Sequence, residues 1–490
     1  MTTKLCAANL DALPPKIGRP SYRAADLKPG ILHFGVGNFH RAHQAVYLDE
    51  LFNAGEDRDW AIVGAGVFDA EKRGHDLLKA QDWLTTVVEQ DTDHMEVRVT
   101  GSMVDYVTPG DGAAIISKLA DPAIRIVSMT ITEGGYFIDA ATGRFDPKHP
   151  AIVADAQTPS EPKTVFGLMV EGLKRRKAQG SPPFTVMCCD NIPHNGHVTR
   201  DAVCGMAKLS DPAFAEWIEQ NVAFPNAMVD RITPATSDRE RAILKRDFGI
   251  EDMWPVFCEP FRQWVLEDNF PLGRPALEKV GVQFVDDVSP FELMKIRILN
   301  GGHAAIAYPA GLMDIHFVHE GMENALVRGF LKKLHVDEII PTVPPVPGTS
   351  LEDYRALIEK RFSNPKVGDT IRRLCLDGSN RQPKFIIPTI VDRLKAGASI
   401  DGLALESALW CRYCYGTTES GTVIEPNDPN WDRLVRTART AKVEPEAWLA
   451  MDDIYGDVGQ STVFVEAFSR HLGALWSDGT AQVLTRYLAG

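Results

Sequence analysis

Hydrophobic and polar positions along this chain follow two rhythms, one for each half. In the first half, short apolar runs alternate with longer amphipathic stretches. Residues 31–34 run into Gly35, 60–63 follow a helix-like stretch, and 95–100 alternate apolar and polar with a period of two. Residues 124–132 and 184–190 are short, rich in β-branched side chains, and end in polar ones. Strands and helices in alternation predict a mostly parallel sheet covered on both faces. Ligands of such sheets gather at the carboxyl ends of the strands, and Asn191 lies just past one of them. After about residue 285 the helical period takes over, predicting helices near 320–335, 351–362, 366–376, 386–396, 401–415, 431–451 and 462–488. The proline-rich segment 340–348 reads as a stiff connector. The expected architecture is an α/β domain over 1–285 and a mainly α-helical domain over 286–490, without internal repeats.

Length agrees, because 490 residues exceed one compact core. A formal charge of −14, from 52 basic and 66 acidic residues, argues against nucleic acid as a partner. No run approaches the ~18 uninterrupted apolar residues of a membrane span, and the first residues do not read as a secretory signal. The eight cysteines therefore read as reduced thiols in a cytoplasmic protein. Cys411 and Cys414 form a lone CxxC pair, short of the four ligands a structural zinc needs, so no metal is expected.

The helical half opens on a segment with chemistry in it. Ser289, Pro290 and Glu292 read as a capping box with proline at the first helical position. On an α-helical wheel with Lys295 at zero, Glu292 falls near about 60°, His303 near about 80° and Asn300 near about 140°. A carboxylate, an imidazole, an amide and a possible base thus share one side of a helix otherwise filled by Leu293, Met294, Ile296, Ile298, Leu299 and Ile306. Polar groups in so apolar a helix need partners or a ligand. Gly301 and Gly302 remove side-chain bulk where a ligand or another backbone comes close.

A second cluster follows the first strand. Gly35, Gly37, Asn38 and Phe39 occupy a strand-to-helix turn, the setting of a dinucleotide-binding loop. There, backbone N–H groups and a helix start favour a pyrophosphate. The third glycine of the usual fingerprint is absent, since His40 stands in its place. Asp69, just past the second strand, suits ribose hydroxyls and would repel a 2′-phosphate, favouring NAD over NADP. A helix N-cap ahead of residues 70–73 is an equally good reading of Asp69.

Taken together, these motifs resemble the polyol-specific long-chain dehydrogenase family, which spans mannitol dehydrogenases and the fructuronate and tagaturonate reductases. The likeness covers nearly the whole chain. It includes Gly35 to His43, Ile131 to Tyr136, Cys189-Asp190-Asn191, Val229-Asp230-Arg231-Ile232, the Lys295/Asn300/His303 spacing, and Asp377-Gly378-Ser379. The resemblance implies a Rossmann-like N-terminal domain, a mainly α-helical C-terminal domain, an active site between them and metal-independent oxidoreduction with NAD. It implies Lys295 as general base, Asn191 and Asn300 on the reacting oxygen, and His303 orienting the substrate. Glu292 would help the proton leave, while Asp230 and Arg373 would touch the polyol chain. Residues 191–196 and 383–385 resemble the mannitol dehydrogenases, implying exchange of D-mannitol and D-fructose, whereas Arg381 stands where those enzymes carry lysine. A lysine lowered to a pKa of about 7–8 by burial serves as a base near neutrality, and two amides aimed at the oxygen supply what zinc supplies elsewhere. The alternatives are a uronate reductase, with Arg381 or Arg373 on the carboxylate, and a non-enzymatic nucleotide sensor. The latter has no use for Lys295, Asn300, His303 and Asn191 together. A monomer or small homo-oligomer is expected.

Overall fold

The apolar run ending at Gly35 is the middle strand, β1 (Pro29–Phe34), of a five-stranded sheet. The structure, a computed structural model, describes residues 2–139 and 143–490, and the chain divides into two units, 1–288 and 289–490. With β2 (Ala61–Ala65), β3 (Met103–Tyr106), β4 (Ile126–Met129) and β5 (Thr185–Cys188), the spatial order is β3-β2-β1-β4-β5, every pair parallel. The chain crosses from one edge back to the middle between β3 and β4, so the switch point lies between β1 and β4 at the Gly35 end. Alternation along β1 sends Leu32 and Phe34 into one buried cluster and Ile31 into the other. His33 follows the parity of Ile31, and helix α2 (Gln44–Asn53) covers that second cluster, reached through the short α1 (Asn38–Ala42).

Beyond the parallel sheet, β6 (Ala227–Asp230) pairs antiparallel with β7 (Gln263–Glu267), which runs parallel to β8 (Gln283–Val285). The period-two segment Met95–Thr100 is a strand, but it lies outside the parallel sheet. It pairs antiparallel with Thr85–Gln90, whose other neighbour is Val256–Cys258. Its polar positions alternate because only one face is buried, which antiparallel strands permit.

The second unit is helical. It opens with α3 (Ser289–Met294), continues through a π-helical turn over Lys295–Asn300, and resumes as α4 (Gly301–Leu312). Four more helices matter for the site and its support: α5 (Leu351–Phe362), α6 (Ile371–Leu374), α7 (Gly378–Phe385) and α8 (Asp401–Tyr413). α8 is buried from Gly402 to Tyr413, with its buried Glu406 accepting from the Gln382 amide of α7. The expected helix at 320–335 is two, Val318–Glu323 and Ala325–Leu334, because the Asn324 side chain accepts from the N–H groups of Leu326 and Val327 and starts the second. The 340–348 connector begins with a 3₁₀ turn, Ile340–Thr342, following a second π turn at His335–Ile339. Among the described residues no helix is long and apolar enough to cross a membrane.

Candidate active site

The wheel drawn for the second unit needs correcting where it matters most. Lys295–Asn300 is π-helical, and the Gly301 N–H reaches back to the Ile296 carbonyl, five residues earlier. In an α-helix Lys295 and Asn300 would stand about 140° apart. Bonding from i to i+5 widens the turn, so the fifth residue returns over the first as the fourth does in an α-helix. The Lys-x4-Asn spacing therefore places both groups on one face more closely than the α-helical wheel allowed. Arg297 pins the turn from behind, with Nη1 on the Thr342 carbonyl at 2.6 Å and Nη2 on Asp392. The two glycines have different uses. Gly302 makes room for the buried ring of His335, whose Nε2 would lie 2.9 Å from any Cβ there, and His335 bonds the Ile298 carbonyl. Gly301 faces the Phe385 carbonyl at an ordinary 3.6 Å.

Lys295 and Glu292 are buried. His303 stacks on Phe362 of α5, centroids 4.6 Å apart. Burial, reinforced by the charges of Arg373, Arg361, Arg381 and Lys295, holds this imidazole well below its usual range, so the ring is neutral. A neutral ring carries one donor and one acceptor. His303 Nε2 and Asn300 Oδ1 are buried without a protein partner. Buried polar atoms in that state need a water or a ligand as partner. Arg373, half-exposed, folds its guanidinium onto Asp369. Arg381 spends Nη1 on the Leu374 carbonyl at 3.1 Å, at the end of α6. Neither guanidinium is wholly available for a substrate carboxylate. Arg361 and Phe362 escaped sequence reasoning: basic residues closing an amphipathic helix read as dipole complements, and only the packing shows them beside His303.

In the first unit, Gly35 has φ +87°, and a Cβ there would fall 2.1 Å from the Thr130 carbonyl, so glycine is required. Asn38 opens α1 with its side chain engaged, Nδ2 on the Pro234 carbonyl at 3.2 Å and Oδ1 accepting from Arg41 at 2.7 Å. Asn38 thus offers a ligand its backbone rather than its amide. Gly37 is open, nothing nearer to a Cβ than 3.9 Å, and Phe39 stacks on His43. Asp69 is not an N-cap. Phe68 holds that position, and Glu71 reaches back to the N–H groups of Val67 and Phe68. Asp69 is 88% exposed with Lys72 as an ion-pair partner at 2.7 Å, leaving carboxylate oxygens accessible.

Two strand ends carry the remaining candidates. Asp190, just past β5, accepts from the N–H groups of Ile131 and Thr132 at 2.9 Å and from the Tyr136 hydroxyl at 2.6 Å. That anchors the backbone from which the exposed Asn191 projects. Asn195 ties the Asp190 and Ala227 carbonyls together, setting β5's end beside β6, and buried Asp230 closes β6 opposite Gln263. Among the described residues no three His, Cys, Asp or Glu side chains converge as a metal site would require.

Comparison with known proteins supplies the deciding observation. Residues 29–279 match the family model for the mannitol dehydrogenase Rossmann domain, and 287–476 match that for the mannitol dehydrogenase C-terminal domain. The chain belongs to the mannitol dehydrogenase family. It is 58% identical over 474 residues to a mannitol 2-dehydrogenase of Cereibacter sphaeroides, covering 96% of this chain and 99% of that one. The solved ternary complex of Pseudomonas fluorescens mannitol 2-dehydrogenase with NAD and D-mannitol is 46% identical, covers 99% of both chains and superposes with a TM-score of 0.89. A substrate-free D-sorbitol dehydrogenase is 39% identical, covering 98% of this chain and 100% of that one, with a TM-score of 0.92. Membership accounts for the Rossmann-like sheet and the helical second unit of this mannitol dehydrogenase family chain together.

Proposed function

We propose that this chain is an NAD-dependent mannitol 2-dehydrogenase that interconverts D-mannitol and D-fructose without a metal ion. The observation that carries this reading is the 58% identity, across nearly the full length of both chains, to a mannitol 2-dehydrogenase. The turn at Gly35 fits a dinucleotide. Its glycine conformation is obligatory, α1 begins directly after it, and the Asp69 carboxylate is open to the ribose hydroxyls. NAD bound there supplies the hydride acceptor.

Loss of hydride from the carbinol carbon requires its hydroxyl to lose a proton. Lys295 Nζ takes that proton, and Glu292, three residues earlier on the same helical face, helps pass it towards water. The Asn300 side-chain NH₂ donates to the oxygen that becomes the carbonyl, with Asn191 as the second amide. Donors preorganised on a developing oxyanion supply the electrostatic stabilisation that a metal would otherwise provide. His303, neutral and with Nε2 free, orients a neighbouring hydroxyl. Asp230 accepts from hydroxyls and disfavours a substrate carboxylate, which supports a neutral polyol over a uronate. Eight free thiols favour a reducing compartment, the cytoplasm.

Incubating the purified chain with D-mannitol and NAD, then identifying the sugar by chromatography, tests the reading. Fructose formed in step with NADH supports it. A different ketose, or no NADH, refutes it.

A further inference from the structure

Beneath the nucleotide turn lies a buried polar chain that the proposed chemistry does not use. His33, on β1, is completely buried. The strand register sets it beside Ser128 of β4, and its Nδ1 lies 2.7 Å from Ser128 Oγ. Ser128 Oγ is in turn 3.1 Å from the Gln44 amide at the start of α2. On the other side, His33 Nε2 lies 3.1 Å from Thr130 Oγ1 and 3.2 Å from the Gly35 carbonyl. Thr130 Oγ1 is itself 2.7 Å from that carbonyl. His40 stacks on the His33 ring at 3.5 Å and fixes its plane.

The proton positions follow from these distances. Two oxygens 2.7 Å apart attract only with a hydrogen between them, so Thr130 donates to the Gly35 carbonyl. Thr130 Oγ1 then accepts, and the donor beside it is His33, which must carry its hydrogen on Nε2. His33 Nδ1 is left as an acceptor for the Ser128 hydroxyl. Ser128 Oγ faces Gln44 Oε1 at 3.1 Å, so the Gln44 amide must exchange its oxygen and nitrogen to donate to Ser128. This orientation gives the Gln44 nitrogen, otherwise without a partner, an acceptor. Burial keeps His33 far below its usual pKa, at about 3, so the relay is uncharged across the working range. The Gly35 carbonyl also accepts the Gly37 N–H at 2.7 Å, which fills its second lone pair. Both bonds hold that carbonyl inward, and with it the left-handed peptide of the turn.

We infer that His33 and Thr130 are positioning residues for the nucleotide turn, a neutral relay that fixes the Gly35 carbonyl so that the backbone N–H groups at the start of α1 stay aimed at a pyrophosphate. The role rests on the proposed NAD site. It predicts a cofactor-binding defect separate from turnover, which a general structural role would not produce. Thr130→Val removes the hydroxyl at nearly constant shape, Thr130→Ser restores it, and His33→Phe keeps the stacked ring but not the donor. NADH affinity is read from protein fluorescence. Thr130→Val and His33→Phe should each raise the NADH Kd and the KM for NAD roughly three- to tenfold, the size of one hydrogen bond. At saturating NAD, kcat and the KM for mannitol should hold, and Thr130→Ser should bind as wild type does. Because both residues act through one relay, the double variant should be little worse than either alone. A Kd within about twofold of wild type for Thr130→Val, or a loss shared equally with kcat, overturns the role. If wild type itself does not bind NADH, the nucleotide reading of the turn has failed first.

Discussion

At the scale of single residues, the central assignment is Lys295 as base. Lys295→Ala should lower kcat for mannitol oxidation by several orders of magnitude while the NADH Kd stays near wild type, because the lysine lies on the π turn and not in the nucleotide loop. Near-native turnover at neutral pH, measured by initial rates, would remove Lys295 from the mechanism. The choice of cofactor is proposed to rest on Asp69. Its exposed carboxylate should repel a 2′-phosphate, so Asp69→Ala should shrink the ratio of kcat/KM for NAD to that for NADP. An unchanged ratio would move discrimination elsewhere. Lys295, Asn300 and His303 stood out as candidates because polar groups interrupted an apolar segment. Arg361 and Phe362 were not, since nothing in a helix that ends in two cations and an aromatic ring states which neighbour it will meet.

At the scale of elements, the alternating runs located the strands to within a few residues, and the GxG turn lies at the strand-to-helix junction expected of it. The π turn was hidden. An α-helical wheel already placed the four groups on one side, and no residue type signals i→i+5 bonding. Its cause is tertiary: Arg297 tied to Thr342 and Asp392, and His335 bonded to the Ile298 carbonyl. Gly302 should therefore tolerate no side chain. Gly302→Ala sets a methyl 2.9 Å from His335 Nε2 and should cost about 1–3 kcal/mol of stability, as overpacking does. Denaturant titration would read the cost, and His335→Ala should relieve most of it. Equal costs in both backgrounds would show that the two do not meet. Met95–Thr100 carries a different lesson. Its period of two identified a strand, but strict alternation belongs to a half-exposed antiparallel pair, a distinction available in the sequence.

At the scale of the whole molecule, burial of neutral histidines sets a stability limit on the acid side. His33, His40, His43, His303 and His335 are all held below their usual pKa, chiefly by burial. Below about pH 6.5 the unfolded chain binds protons at these sites and the folded chain does not, so each costs about 1.4 kcal/mol per pH unit. Asp49, raised to about 6, and Glu406, raised to about 8, act in the opposite sense, as does exposed His94 beside Asp93, but the five histidines outweigh them. The thermal midpoint should fall steadily from pH 7 to 5. A midpoint that holds or rises over that range would mean the histidines are not buried as neutral rings.

Substrate identity is the claim on which the rest converges, and the partly engaged guanidinium groups of Arg373 and Arg381 weigh against a carboxylate. The direct measurement is kcat/KM for D-fructose against D-fructuronate with NADH in chelator-treated buffer. The account predicts undiminished activity and a clear preference for fructose; a kcat/KM for fructuronate well above that for fructose, or activity restored only by added zinc, would contradict it.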